Sequence, residues 1–289
     1  MFNELLAILF CLTVGPVSDA GFSATTQPAS MSSIRTHAHN DYQHPRPLLD
    51  ALDLGYTSIE ADVALDDGVL YVTHDEKEIT KSRTLKSLYL DPLRDRVKRN
   101  GGWIYPDRRQ VILLIDLKTE AEPTYAALGE LLKQYPELFT CYRNGKRIER
   151  AVTAVVSGNH PPLAVMKKEA VRYAEYDGRL LDLASPHPAT LISMISDNWE
   201  KTFKWRGAGP IPAAERIKLR KIVALAHRKN RIVRFWATDV GPPADQRALW
   251  TELIEAGVDL ISTDKLGDLK VFLETAKHNK KPSSLKPTG

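Results

Sequence analysis

Cysteine is almost missing from this chain. Its 289 residues hold two, Cys11 and Cys141. Cys11 falls in an N-terminal segment expected to be removed. That leaves no partner for an intrachain disulfide, so the fold must stand on its packed core. The leading apolar run, residues 5–14, is too short to span a bilayer as a helix. No Gly-rich loop follows the first expected strand, which argues against a dinucleotide-binding open sheet. No Pro/Gly/Ser linker divides the chain, so nothing supports two domains. An excess of one charge sign is also largely missing. The formal net charge is +4, without the basic stripe or module that nucleic-acid binding needs. The mild excess suits an anionic substrate or a phospholipid surface.

An apolar run followed by Gly15-Pro16-Val17-Ser18-Asp19-Ala20 reads as a signal peptide over residues 1–20. It predicts a secreted or cell-envelope (periplasmic) protein. Residues 21–32 read as a flexible N-terminus, residues 33–276 as the folded unit, and the Lys/Pro/Ser-rich residues 277–289 as a disordered basic tail. Within the folded unit, short β-branched or apolar runs alternate with helical stretches. The expected strands are residues 33–38, 57–63, 111–117, 151–157, 180–184, 191–195, 232–237 and 259–263. A hairpin strand, 69–73, follows the Asp66-Asp67-Gly68 turn. Helices are expected over 47–54, 85–98, 123–134, 213–229, 244–256 and 266–277. This alternation predicts parallel βαβ units, and eight strands fit a single-domain α/β fold of the TIM-type (βα)8-barrel class. About 250 residues suffice for one. Residues 163–209 are the least legible stretch, and Trp199, Trp205 and Gly207-Ala208-Gly209-Pro210 within it suggest a long loop over the barrel mouth.

In such a barrel the C-terminal ends of the strands build the active site. Strand one ends in His37-Ala38-His39-Asn40-Asp41-Tyr42. Strand two carries Glu60 and Asp62, two apart and therefore on one face. Carboxylates inside an apolar strand are costly unless paired or bound to a cation, and as hard oxygen donors they suit Mg²⁺ or Ca²⁺. Solvated acids on an edge strand are the plainer alternative. The hairpin delivers His74, which Asp75 could orient or leave alone by capping the next segment. Strand three ends in Asp116 and Lys118, again on one face. They read as a third ligand and a phosphate-binding cation, or simply as a buried ion pair. Trp236 could wall a pocket or belong to the core. Asp264 could be catalytic or a helix cap.

His39, Glu60-x-Asp62, His74-Asp75, Asp116-x-Lys118, Trp236 and the Thr263-Asp264 ending together resemble the glycerophosphodiester phosphodiesterase and phosphatidylinositol-phospholipase-C-like barrel superfamily. The Ala38-His39-Asn40-Asp41-Tyr42 opening looks most like the branch named for altered inheritance of mitochondria protein 6. The resemblance covers roughly residues 33–273. It implies a metal-dependent phosphoric diester hydrolase acting on a glycerophosphodiester or phospholipid headgroup, with one divalent cation. His39 and His74 would be the acid/base pair, and Glu60, Asp62 and Asp116 the metal ligands. Lys118, Trp236 and Asn40 would meet the substrate. The family's His-Arg-Gly opening is absent. Arg46 is the nearest replacement for its phosphate-binding arginine.

Two other classes compete. The His37-x-His39 pair also resembles a Zn²⁺-dependent amidohydrolase, although that reading leaves Glu60-x-Asp62 unexplained. A catalytically weak lipid-binding envelope protein on the same barrel is the non-enzymatic alternative. His37 competes with His39 for the catalytic place. Peripheral membrane contact, no nucleic acid and no obligate protein partner complete the expectation.

Overall fold

A computed structural model describes residues 35–279. The expected signal peptide, the N-terminal segment and most of the basic tail lie outside the described residues. In chain order the elements are β1 (Arg35–Ala38), α1 (Leu49–Asp53), β2 (Ser58–Asp66), β3 (Val69–Val72), α2 (Asp91–Arg99), β4 (Val111–Leu117), α3 (Ala121–Leu132), β5 (Cys141–Arg143), β6 (Lys146–Ile148), β7 (Val152–Gly158), α4 (Leu163–Lys167), β8 (Val171–Arg172), β9 (Ala174–Gly178), β10 (Ile192–Asn198), α5 (Trp199–Thr202), α6 (Ala213–His227), β11 (Ile232–Trp236), α7 (Pro243–Ala256), β12 (Leu260–Thr263) and α8 (Leu266–Asn279). The last helix thus runs past the expected start of the tail.

Eight parallel strands follow one another in the order β1-β12-β11-β10-β9-β7-β4-β2, and pairing of β1 with β2 closes the barrel. The single-domain TIM-type barrel is therefore what the chain forms. β3 folds back antiparallel on β2, through a turn in which Asp67 and Gly68 both have positive φ (47° and 75°). That is the turn type whose twist matches a hairpin.

Side-chain alternation sorts each strand into an outward and an inward row. The outward rows join the helices in the main apolar core, which includes Ile59, Leu113, Val156, Ile195 and Phe235. The inward rows stack in layers. The lowest is an apolar plug of Ile112, Leu114, Val155, Met194 and Leu260. Above it, every strand continues its inward row with polar residues. Ile112 and Leu114 lead to Asp116, Val155 to Ser157, Met194 to Ser196, and Leu260 to Ser262. A filled, apolar lower barrel therefore carries a polar upper chamber.

Two expectations are corrected. The fifth strand is not residues 180–184, which form a 3₁₀ turn with Leu181 94% exposed. It is Ala174-Glu175-Tyr176-Asp177-Gly178. Its two acids suggest a loop in isolation. Inside the barrel they are paid for by hydrogen bonds, as Asp177 accepts from Ser157 (2.8 Å) and from Ser196 (2.6 Å to Oδ1). The segment holding Trp199 and Trp205 is not a loop over the mouth. Trp199 is fully buried, stacked on Phe203 (4.1 Å) and edge-on to Phe235 (5.5 Å). Because Phe235 points outward, this aromatic cluster seals the outside of the barrel wall.

Candidate active site

The upper chamber gathers carboxylates from neighbouring strands. Asp62 of β2 stands in register with Asp116 of β4, and Glu60 lies one inward position below Asp62. Oxygens of Glu60, Asp62 and Asp116 all lie within 4.8 Å of one another. The strand ladder alone brings the three together. Asp62 Oδ1 is buried and has no hydrogen-bond partner, so it is free to serve as a ligand to a cation. All donors are hard oxygens, which fits Mg²⁺ or Ca²⁺ better than the imidazole-rich environment of a zinc site. Gly158 makes room for this. A Cβ there would sit 2.2 Å from Asp116 Oδ1, and its φ of +68° already favours glycine.

Glu60 Oε2 accepts from Arg234 Nη2 at 2.7 Å and from His37 Nε2 at 2.9 Å. Burial alone would raise the pKa of Glu60. The Arg234 charge and the His37 hydrogen bond overcome it and hold the carboxyl well below the usual range. His37 is fully buried, and its Nδ1 accepts from Ser58 Oγ at 2.7 Å. Burial and the Arg234 charge lower its pKa to about 3, so it is neutral and donates to Glu60. Asp62 is pushed up, by burial first and then by the negative charge of Glu60.

Lys118 Nζ bridges Asp62 Oδ2 (3.0 Å) and Asp116 Oδ1 (2.8 Å). Burial would lower its pKa, but the two carboxylates raise it. The ion pair weighed from the sequence is therefore present, and it lies inside the carboxylate cluster. His74 Nδ1 donates to Asp62 Oδ2 at 2.7 Å while 68% of its side chain is exposed. Asp75 does not orient it; its carboxylate caps Lys77 N at 2.9 Å. On the other side, His39 Nδ1 donates to Asp264 Oδ1 at 2.7 Å. Burial works against protonation of His39, and the Asp264 hydrogen bond with the charge of Glu60 outweighs it, so its pKa is raised. Asp264 is thus a histidine partner rather than a helix cap. Asn40 reaches the same carboxylate (Nδ2 to Oδ1, 3.3 Å) and accepts from Tyr42 Oη at 3.2 Å. It braces the dyad. His39 and His74 therefore flank the cluster with Nδ1 engaged and Nε2 unbonded among the described residues.

Trp236 is half-buried, with the Arg179 guanidinium 5.0 Å over its ring. Arg179 Nη1 pairs with Asp177 Oδ2 at 2.9 Å and donates to Ser196 Oγ at 3.2 Å. Sequence reasoning missed Arg179 because the fifth strand was misplaced by several residues. It missed Arg234, although Arg234 shares the inward row with Trp236, two positions on. The expected place of Arg46 is corrected. Its guanidinium is bound by Asp50 (2.7 Å) and Asp53 (3.0 Å) along α1, outside the cluster.

The family model described as the AIM6-like phosphodiesterase domain matches residues 25–177. An altered inheritance of mitochondria protein 6 homolog of Arthroderma benhamiae is 29% identical over 267 residues, covering 83% of each chain. Altered inheritance of mitochondria protein 6 of Eremothecium gossypii is 29% identical over 268 residues, covering 82% of this chain and 69% of that protein. A Ca²⁺-dependent phosphatidylinositol-specific phospholipase C from Streptomyces antibioticus shares the fold at a TM-score of 0.55. It is 14% identical and covers 84% of this chain and 95% of that one. The expected secreted or envelope location is overturned by the relatives' names, which tie them to mitochondrial inheritance rather than to export.

Proposed function

The chain belongs to the AIM6-like phosphodiesterase domain family, and from that footing we propose that it is a metal-dependent phosphoric diester hydrolase working by paired histidine acid/base catalysis. One observation carries the reading. On each side of the carboxylate cluster a histidine has its Nδ1 fixed by a carboxylate at 2.7 Å, Asp264 for His39 and Asp62 for His74. Each Nε2 is thereby aimed and given the correct tautomer for proton transfer.

Glu60, Asp62 and Asp116 would hold one divalent cation, Mg²⁺ or Ca²⁺. When bound, such an ion offsets negative charge on a non-bridging phosphate oxygen. Arg179 and Lys118 would meet the phosphate or its headgroup, and Trp236 would wall the headgroup pocket. One histidine takes the proton of the nucleophile, either water or a neighbouring substrate hydroxyl, as its oxygen bonds to phosphorus. The other gives its proton to the alkoxide that leaves, so the pair's total proton count is unchanged over the step. The Asp264 hydrogen bond and the charge of Glu60, which raise the pKa of His39 against its burial, favour its protonated form. The substrate is a glycerophosphodiester or phospholipid headgroup ester, and any membrane contact is peripheral.

The test is hydrolysis of bis-p-nitrophenyl phosphate and a headgroup panel after chelation, with Mg²⁺, Ca²⁺, Mn²⁺ or Zn²⁺ restored singly. Activity should return with Mg²⁺ or Ca²⁺, disappear in Glu60→Ala, and fall roughly 10²–10⁴-fold in His74→Ala. Near-normal turnover by His74→Ala would sink the scheme. Activity on amides with Zn²⁺ alone would favour the amidohydrolase alternative.

A further inference from the structure

The carboxylate cluster already contains its own cations. Three carboxylates face one another within 4.8 Å. Two fixed positive charges lie among them, Arg234 at 2.7 Å from Glu60 and Lys118 at 3.0 Å or less from both Asp62 and Asp116. The cluster is therefore left with about one uncompensated negative charge, little for a divalent ion that needs oxygen donors with full charge.

The two cations differ in what they can do. Arg234 is buried in the barrel interior, its neighbours on β10 and β12 packed alongside. Lys118 follows the last residue of β4 at the chamber mouth, and a fifth of its side chain is exposed. Its ammonium is a point charge on a flexible four-carbon stem, able to change partners without moving backbone. It also holds the same two carboxylates that an ion would need. A divalent ion and the ammonium repel each other at such distances, so both cannot keep these oxygens.

We propose that Lys118 is a resident competitor for the metal site. It leaves Asp62 and Asp116 when an ion takes them, and its ammonium then turns to the phosphate of the substrate. This rests on the metal-dependent reading above and deepens it. Metal and phosphodiester then bind cooperatively. The phosphate accepts the displaced ammonium, and by linkage each ligand tightens the other by the same factor. The cation in the cluster is in this way a device that keeps the site weak for metal until substrate is present.

The test is calorimetric titration of Mg²⁺ into the full chain, with and without saturating dimethyl phosphate, an inert phosphodiester monoanion. Wild type is compared with Lys118→Gln, Lys118→Met and Lys118→Arg, each checked for folding by circular dichroism and thermal unfolding. Wild type and Lys118→Arg should bind Mg²⁺ weakly and tighten about fivefold or more with dimethyl phosphate. Lys118→Gln and Lys118→Met should bind Mg²⁺ about tenfold tighter or more, with the coupling to dimethyl phosphate reduced to what direct attraction between the ion and the phosphate leaves. Equal measurable affinities in wild type and the neutral variants, or unchanged coupling, overturn this proposal alone. Folded proteins that bind neither Mg²⁺, Ca²⁺ nor Mn²⁺ in any version overturn the metal reading and this proposal with it.

Discussion

Replacing Arg234 by methionine should destabilise the protein severely, by a calculable amount. Arg234 and Glu60 are both nearly inaccessible, 2% and 4% exposed, and their contact is 2.7 Å. Methionine fills most of the arginine volume, so little of the cost comes from a cavity. What remains is a carboxylate in the barrel interior with one neutral donor, His37. Breaking a buried pair from one side costs about 3–5 kcal/mol. Removing the charge on the other side should recover much of it, because Glu60→Gln keeps the shape and can still accept from His37. Urea unfolding in chelator separates these terms. With a urea slope of about 3 kcal/mol/M for a chain of this size, Arg234→Met should lower the midpoint by about 1 M or more. The double variant Arg234→Met/Glu60→Gln should lie closer to wild type than Arg234→Met does. A loss below about 1 kcal/mol for Arg234→Met, or a double variant as weak as the sum of the singles, would show that the pair does not govern this part of the barrel.

Asp41 gives a pH-dependent prediction. Its buried carboxyl accepts from Leu48 N (2.5 Å) and Tyr89 Oη (2.8 Å), and burial still pushes its pKa up to about 6. The folded value exceeds the unfolded one near 3.8, so the folded state binds the proton more tightly. The associated stability is present below about pH 4 and lost as pH rises through about 6, about 3 kcal/mol in all. Asp41→Asn should therefore gain stability over wild type at pH 8 and little at pH 4, read from urea midpoints; parallel pH profiles would refute it. Gly158→Ala should lose about 1–3 kcal/mol in the same assay and weaken Mg²⁺ binding, since its Cβ would displace Asp116. Wild-type Mg²⁺ affinity in that variant would contradict the placement of Asp116. Arg46→Ala, whose partners are surface acids, should change turnover less than twofold and stability by about 0.5 kcal/mol or less; a large loss of turnover would restore it to the site.

Much of the barrel is visible in the chain before any coordinates. Strands such as residues 111–117 are apolar runs of the right length, and their hydrophobicity is dictated by burial on both faces. The carboxylate pair Glu60-x-Asp62 is equally legible, since alternation alone places both acids on one face. The fifth strand is not legible, because Glu175 and Asp177 look like loop residues until Ser157, Ser196 and Arg179 are known to meet them. The same error hides Arg179. His37 and Arg234 are visible as residues but not as partners, since they meet Glu60 only after the barrel closes and places positions 23 and 174 residues apart side by side. Arg46 fails for the converse reason. The missing His-Arg-Gly arginine suggests it as a replacement, while its guanidinium pairs with two acids on α1.

The contrast between the buried Glu60 and the open His74 bears on how this family can drift. Glu60 is held by interior groups that the barrel needs as much as any chemistry does, so an acid there can outlive the activity it once served. His74 leans out into solvent on a single carboxylate contact, and its loss would cost the fold little. A descendant that has given up catalysis should therefore keep its acids and change this histidine first. When related chains are sorted into working enzymes and retired ones, the residue standing at position 74 will be the better witness.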